Sequence, residues 1–323
     1  MSTPQFISVI ICAQDRREFL KEAVNSVVNQ SLSREMYEII VVKNFDDESI
    51  DEFLQENMVI TIYTQAQYLS NKHALAIKRS KGSIICFLDD DDVFEKHKLK
   101  TVLLEFSKDD KLSFMHNGMV FTDISGTELS KSRNFTPISY DASTRDRTVI
   151  RSMLSQMASY NSSSMTISRG LALKYVDLLN KTDRETDTFW FSCALDYGAK
   201  ILVIPDHLTR YRRHVSGVSR SSDPAKILRY ATAAKDSTLI MEQHLAAENA
   251  KYFTNFKISE WIIKCKLFEI QDISISEKIR ITITIFHYRD IAPHTDIMKL
   301  IFLTFLSTAN RYWAQALYPK LYS

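Results

Sequence analysis

The chain has 323 residues, of which 45% are hydrophobic and 25% are charged, so it can bury a substantial core. This composition excludes a disordered, collagen-like or disulfide-stapled protein, and only six glycines and six prolines exclude a low-complexity chain. The formal net charge is +2. Because the sequence contains no basic stripe, we expect no nucleic-acid partner.

The cysteines and the apolar segments indicate a reducing compartment. Each of the four cysteines lies in or beside an apolar run and none has metal-like spacing, so we interpret them as small core residues: Cys12, Cys86, Cys193 and Cys265. No basic leader pattern is evident at the start. No window reaches the roughly 18–20 apolar residues that span a bilayer. We therefore expect a cytoplasmic protein.

The first ninety residues alternate between strand and helix patterns. Continuous apolar runs predict strands buried on both faces, at residues 6–12, 37–42, 59–63 and 84–88. Apolar residues at helical spacing predict helices at 17–30, from about 47, and at 70–80. Repeated βα units predict an α/β fold with a mostly parallel sheet and ligands beyond the carboxyl ends of its strands.

Four consecutive carboxylates, Asp89 to Asp92, end the fourth apolar run. Such a cluster repels itself unless solvent or a cation relieves it. One interpretation is a solvated acidic turn before a helix that begins near Glu95. The other is a site for Mg²⁺ or Mn²⁺, which prefer oxygen ligands and share them with phosphate. Spacing alone leaves both open.

The middle of the chain is less regular. We predict a strand at 112–121 and short strands at 201–204 and 208–211, with helices at 149–157 and 171–179 and another that ends at Gly198. The polar stretch 123–147 is interpreted as a mobile or substrate-gating loop.

Residues 221–323 form a second, mainly helical region, which divides the chain into 1–220 and 221–323. Helices are predicted at 224–245 and 261–270, whereas alternation at 279–285 locally favours a strand. An apolar stretch at 297–306 precedes several aromatic residues. We interpret this region as packing against the main domain or a second copy in a homo-oligomer, with peripheral membrane contact as the alternative.

Several segments together resemble the family 2 glycosyltransferases of the GT-A fold. The opening of the family is matched at residues 8–11, 16–20 and 26–31, its second strand at 37–42, and its strand with the DxD motif at 82–92. Residues 204–208 and 211–214 are similar to the family's "IPEPL…YRRH" stretch. The resemblance covers residues 5–220, and the ordered set is more specific than any single motif.

The resemblance implies transfer of a sugar from a nucleotide-diphosphate donor, with inversion at the anomeric carbon and with Mn²⁺ or Mg²⁺ as cofactor. By position, Asp89 and Asp91 are the two ends of the DxD motif and the implied metal ligands. Asp89 and Asp90 would also contact the donor. Asp92 aligns with a frequent third acid that orients the site.

An inverting displacement also needs a general base for the acceptor hydroxyl. Family members usually place it as an aspartate eleven residues before a glycine that ends a helix, and counting back from Gly198 gives Asp187. The alternative interpretation of Asp187 is an ordinary carboxylate in the first turn of a helix. We expect it to be the base.

The remaining donor contacts are implied less directly. Arg212 and Arg213 could neutralise diphosphate oxygens and His214 could bind the metal, the alternative being a structural network at a strand end. The base-binding part departs from the family, because Ala13 to Asp15 replace its Thr-Tyr-Asn and Lys43 replaces a carboxylate. We expect Ala13, Asp15, Asn44 and Tyr68 to contact the donor, with Phe45 as another stacking candidate, and the nucleotide stays open.

The leading hypothesis is an inverting, metal-dependent glycosyltransferase acting on a glycan acceptor, lipid-linked if the apolar tail contacts the cytoplasmic face of a membrane. One alternative is a catalytically silent subunit that binds nucleotide or glycan. The other is a nucleotidyltransferase or related phosphate-handling enzyme, since Mg²⁺ on acidic clusters also serves that chemistry. The absence of a glycine-rich phosphate loop argues against this second alternative.

Overall fold

The computed structural model describes residues 5–213 and 223–268, together with isolated positions between 276 and 302. Its described strands form one sheet. They are β1 (Ile7–Cys12), β2 (Tyr37–Lys43), β3 (Ile60–Tyr63), β4 (Ile84–Asp89), β5 (Val93–Phe94), β6 (Leu112–Thr122), β7 (Glu128–Lys131), β8 (Ile138–Asp141), β9 (Met165–Ser168) and β10 (Lys200–Arg212).

The sheet is mostly parallel in its first half and mixed in its second. Its order is β3-β2-β1-β4-β9-β6-β10-β5, and β1 pairs in parallel with both β2 and β4. Strand β9 runs antiparallel between β4 and β6, and β10 pairs in parallel with β6. Short strands β7 and β8 pair antiparallel with β6 and β10. Parallel βα units therefore bring the carboxyl ends of β1, β2 and β4 to one edge.

Helices cover both faces of the sheet. They are α1 (Leu20–Val28), α2 (Glu48–Glu56), α3 (Leu69–Arg79), α4 (Lys98–Lys108), α5 (Arg147–Ser155), α6 (Arg169–Leu179), α7 (Thr186–Tyr197), α8 (Pro224–His244) and α9 (Glu248–Phe268). Alternate residues of β1 enter two different hydrophobic clusters, with Ile10 in one and its neighbours Val9 and Ile11 in the other. This confirms the prediction of a strand buried on both faces.

The two C-terminal helices pack on the α/β core. Met241 of α8 and Phe253 of α9 belong to the same hydrophobic cluster as Phe191 of α7. The rings of Phe191 and Phe253 meet edge to face with centroids 5.2 Å apart. The predicted boundary at 220/221 lies within residues 214–222, outside the described residues, so the division into two regions stays a proposal.

Some sequence predictions were wrong. The stretch 123–147 is not one irregular loop, because it contains β7 and β8. The two strands predicted at 201–204 and 208–211 are one strand, β10, whose register shifts beside Pro205, which has no N–H to donate. The helix predicted at 261–270 begins at Glu248, and the described residues of 279–283 are helical rather than extended.

Two further predictions can be compared with the described residues. All four cysteines are buried and none of them forms a disulfide with a described residue, as the apolar runs around them predict. Among the described helices, none combines the length and the apolar character needed to cross a bilayer.

Candidate active site

The acidic cluster forms at the carboxyl end of β4. Asp89 is the last residue of that strand, and the chain then turns through Asp91 and Asp92. One carboxylate oxygen from each of these three residues lies within 4.8 Å of the other two. The second oxygen of Asp92, Oδ2, is buried and has no hydrogen-bond partner among the described residues. This oxygen set fits Mg²⁺ or Mn²⁺, which require such hard ligands.

Burial and mutual repulsion make these carboxylates hard to ionise. Burial, with a further contribution from Asp91, raises the pKa of Asp89 to about 7. Burial raises the pKa of Asp90 to about 6, despite the opposing effect of Arg16. The pKa of Asp92 is also raised well above its ordinary value, by burial and by Asp91. A cation bound here would relieve that repulsion.

An arginine that sequence analysis did not single out as a site residue faces the cluster. Arg16, in the loop after β1, forms ion pairs with Asp90 and with Asp91, the latter at 2.5 Å from Nη1 to Oδ2. Sequence analysis could have identified Arg16 from its position, because it is a basic residue soon after the carboxyl end of the first strand. Arg16 therefore pairs with one of the candidate metal ligands, Asp91.

A short 3₁₀ turn of three serines, Ser162–Ser164, supports Asp89. The hydroxyl of Ser162 donates to Asp89 Oδ1 at 3.0 Å, and Ser163 Oγ accepts from the Asp89 backbone N–H at 2.9 Å. Beneath the turn, the buried amine of Lys98 donates to the Ser163 carbonyl at 2.6 Å. Sequence reasoning missed this support, because the serine turn is more than seventy residues from Asp89.

Asp187 lies in the first turn of α7, which ends at Gly198 as predicted. Its Oδ2 accepts from the Asn161 backbone N–H at 3.1 Å, and its Oδ1 accepts from the Thr188 N–H at 2.9 Å. Burial, reinforced by the charge of Glu185, raises the pKa of Asp187 to about 7. Two fixed hydrogen bonds and a pKa near neutrality suit a carboxylate that accepts a proton.

One cavity of about 350 Å³, which we call the central cavity, lies beside both the acidic cluster and Asp187. Both Asp89 and Asp187 line it. The C-terminal helices, to which sequence analysis assigned no site residue, supply another part of its wall: Ile227, Tyr230 and Ala231 of α8, and Lys257, Glu260, Trp261 and Lys264 of α9. Helices α8 and α9 therefore line the candidate site.

The loops after β1 and β2 meet at the same edge of the sheet. The backbone N–H of Asp15 donates to Asn44 Oδ1 at 3.0 Å, and Asn44 Nδ2 donates to Asp15 Oδ1 at 2.9 Å. Ala13 is buried, and its carbonyl accepts from Lys72 Nζ at 2.9 Å. The structure thus brings Ala13, Asp15 and Asn44 together, and their contact with a donor stays a prediction.

The two aromatic candidates for stacking on a base differ in their surroundings. Phe45 is only 7% exposed and lies under the guanidinium of Arg17, 4.8 Å from the ring centroid, so its ring is not open for stacking. Lys43 is fully buried and forms an ion pair with Asp51 at 2.7 Å. Tyr68 is half-buried, with the guanidinium carbon of Arg184 5.7 Å from its ring centroid.

Arg212 belongs to a structural network at the end of β10. Its Nε donates to the Asp91 carbonyl at 2.8 Å and its Nη2 to Glu22 at 2.6 Å. The guanidinium of Arg213 lies 4.2 Å from the Phe121 ring centroid. His214 lies outside the described residues. Donor or metal binding by these three residues stays a prediction.

Comparisons with known proteins identify the family. Residues 8–166 match the family model described as glycosyl transferase family 2. TuaG of Bacillus subtilis (strain 168), a glycosyltransferase named for teichuronic acid biosynthesis, is 29% identical over 131 residues, which are 39% of this chain and 51% of TuaG. The glycosyltransferase AglE of Haloferax volcanii is 30% identical over 96 residues, 28% of this chain and 32% of AglE. The chain thus spans about half or less of these relatives.

Solved structures extend the similarity to the C-terminal helices. S. aureus TarS 1–349 in complex with UDP-GlcNAc has a TM-score of 0.59 and 14% sequence identity, covering 98% of this chain and 91% of that one. At this identity the similarity concerns the fold. The predicted GT-A fold with added C-terminal helices is confirmed, and residues 8–166 of this chain belong to glycosyltransferase family 2.

Proposed function

We propose that this chain is an inverting, metal-dependent glycosyltransferase that moves a sugar from a nucleoside-diphosphate donor to a glycan acceptor. The observation that carries the proposal is that Asp89 and Asp187 line the same cavity. The cavity then offers Asp89 and the adjoining acidic cluster for the charge chemistry that a diphosphate needs, and Asp187 as a carboxylate for the acceptor. The similarity to a structure of TarS with UDP-GlcNAc supports a nucleotide-sugar donor.

Asp89, Asp91 and Asp92 would hold the cation, Mn²⁺ or Mg²⁺. Their close oxygens and the partnerless Oδ2 of Asp92 fit such an ion. When bound, the cation supplies positive charge that stabilises the departing diphosphate. The serine turn keeps Asp89 in place by two hydrogen bonds.

Asp187 acts as the general base. The acceptor hydroxyl oxygen attacks the anomeric carbon, the bond from that carbon to the diphosphate oxygen breaks, and the hydroxyl proton passes to the Asp187 carboxylate. A single displacement of this kind inverts the anomeric configuration. The hydrogen bonds from Asn161 and Thr188 fix the carboxylate before reaction, which lowers the cost of orientation.

The acceptor in this proposal is a glycan under assembly, lipid-linked at the cytoplasmic face of a membrane. Large apolar side chains are exposed among the described residues of the C-terminal part: Ile279, Ile283, Met298 and Phe302 are 57%, 64%, 63% and 49% exposed. Such a surface suits peripheral contact with lipid or with a second copy. Sedimentation with polyprenyl-phosphate vesicles tests the lipid part, which failure to co-sediment would refute.

The donor site is tested by a binding screen. UDP, GDP, dTDP, CMP and their sugar conjugates are titrated with and without Mn²⁺ into the wild type, Asp91→Asn, and Asp110→Asn as an exposed control. We expect one nucleotide to bind only with metal, in the wild type and the control but not in Asp91→Asn. Incubation of that donor with glycan acceptors should then release the nucleoside diphosphate. Metal-dependent binding without any transfer would favour a silent nucleotide-binding subunit, and no binding would refute the proposal.

A further inference from the structure

One face of α9 carries charges where a buried helix normally carries apolar residues. Lys257, Glu260, Trp261 and Lys264 follow the spacing i, i+3, i+4, i+7, which places them on one stripe, and all four line the central cavity. Glu260 is 9% exposed and Lys264 is 5% exposed. Both lysines donate to the single carboxylate of Glu260, each at 2.7 Å. Burying two ammonium groups and a carboxylate on one helix face is costly, which indicates a role beyond packing.

Arg184 adds a third cation to the same wall. Its guanidinium carbon lies 5.7 Å from the ring centroid of Tyr68 and 5.5 Å from that of Tyr230. Although Asp183 and Glu185 are its sequence neighbours, the guanidinium forms no ion pair or hydrogen bond with any described residue, and its Nε is buried without an acceptor. Aromatic rings therefore hold this cation in place without neutralising it.

Two carboxylates of the cavity wall, Glu185 and Glu260, already have partners. Glu185 accepts from the Tyr230 hydroxyl at 2.9 Å and from Thr188 Oγ1 at 2.8 Å. Glu260 is shared by the two lysines. The fork of N–H donors on Arg184 thus remains available to an anion that enters the cavity, and this fork matches the paired oxygens of a carboxylate or a phosphate.

We propose that Arg184, Lys257 and Lys264 form a subsite for an anionic substituent of the acceptor. The acceptor is then a saccharide that carries a carboxylate or a phosphate, bound so that its reacting hydroxyl faces Asp187 in the same cavity. This inference rests on the proposed glycosyl transfer for its assignment to the acceptor. Independently of that assignment, we expect the subsite to bind an oxyanion selectively.

The test titrates three probes into the full chain: methyl glucuronide, glycerol 1-phosphate and the neutral methyl glucoside. The indole N–H signal of Trp261, assigned with Trp261→Phe, reports binding because its ring lines the cavity. We expect an acidic probe to shift this signal saturably and the glucoside to bind at least about tenfold more weakly, because it brings no charge to the subsite. The tighter of the two acidic probes identifies a carboxylate or a phosphate as the substituent.

Two variants make the assignment specific. Arg184→Gln should weaken acidic-probe binding about tenfold or more, the order expected when a charge-assisted hydrogen bond is lost. Arg229→Gln, on an exposed position of α8, should leave it unchanged. Equal binding of the glucoside and of the tighter acidic probe, or equal behaviour of the two variants, would overturn the subsite. Failure of both acidic probes in a protein that still binds donor with metal would reject the subsite and leave the proposed function standing.

Discussion

Replacing Lys98 by methionine tests whether the support beneath the acidic cluster is stabilised by a buried amine. Lys98 is fully buried in α4, and its Nζ donates to Asn117 Oδ1 at 2.9 Å, to the Ser163 carbonyl at 2.6 Å and to Thr209 Oγ1 at 3.0 Å. Methionine nearly preserves the length and volume of the side chain but removes every donor. The substitution therefore isolates the polar contribution.

The cost in stability depends on which hydrogen-bond acceptors lose their only donor when Lys98 is replaced. Thr209 Oγ1 still donates to the Ser163 carbonyl at 3.0 Å and still accepts from Asn117 Nδ2 at 3.1 Å. Asn117 Oδ1 alone is left without a donor. One unsatisfied buried acceptor costs about 1–3 kcal/mol, so we expect the free energy of unfolding to fall by about that amount near pH 7.

The difference in the free energy of unfolding between wild type and Lys98→Met should depend on pH in a defined direction. Burial lowers the pKa of Lys98 from its ordinary value near 10.5 to about 7. Between these values the unfolded chain binds a proton that the folded chain does not, so this residue makes the wild type more stable as pH rises. The advantage of wild type over Lys98→Met should therefore widen between pH 7 and 10, by at most about 1.4 kcal/mol per pH unit.

Urea unfolding of the wild type, Lys98→Met and Lys100→Met at pH 7, 8 and 9 measures this effect. Lys100 is an exposed lysine of the same helix and serves as the matched control, expected within about 0.5 kcal/mol of wild type. Titrating groups that do not interact with Lys98 are common to all three proteins and cancel in the difference. A Lys98→Met penalty that is absent, equal to that of Lys100→Met, or constant with pH would refute the reasoning.

Two further predictions concern the base and the packing of the sheet. Because only the ionised form of Asp187 can accept a proton, kcat/KM should rise with pH and level off above about 7; a flat profile from pH 5 to 8 would contradict this. At Gly82 an added Cβ would lie 2.5 Å from the Ser8 backbone nitrogen, so Gly82→Ala should lower stability by about 1–3 kcal/mol. Gly170→Ala would meet only a tyrosine hydroxyl at 2.6 Å and should cost less. Thermal unfolding compares the stability of the two alanine variants. An equal loss of stability would show that a clash with backbone costs no more than a clash with a side chain.

The parallel half of the sheet could be predicted from sequence because its strands are nearly continuous apolar runs. Strands β1, β2 and β4 are buried along nearly their whole length. Two buried polar residues of β1 and β2 satisfy each other, since Ser8 Oγ donates to Glu38 Oε1 at 2.6 Å. The same runs end at or just before Asp15, Asn44 and Asp89. The position of these side chains at one edge of the sheet could therefore be predicted from the strands. Family resemblance then supplied a role for Asp187, which spacing alone could not.

The missed features depend on contacts between distant segments. Strand β9 has four residues and follows three serines, so it carries too little pattern to be recognised. Pro205 suggested a break, but β6 pairs with β10 on both sides of this proline and keeps it one strand. Alternating isoleucines near Ile279 imitate a strand, although the described residues there are helical.

The proposed subsite of Arg184, Lys257 and Lys264 was missed for a similar reason. Arg184 and Lys257 are more than seventy positions apart, and neither belongs to a recognisable motif. A charged stripe on a helix is usually solvated, so the sequence alone favours an exposed face for α9. Only the packing of α9 beside the cavity shows that Lys264 and Glu260 are buried.

The most direct test of the account follows the anomeric configuration of the product by NMR in the wild type and Asp187→Asn. The account predicts that the wild type inverts the configuration of the donor. It predicts that Asp187→Asn binds donor and metal as the wild type does, while transfer falls by about 10²–10⁴-fold. Retention of configuration, or transfer by Asp187→Asn at the wild-type rate, would contradict the assignment of Asp187 as the base.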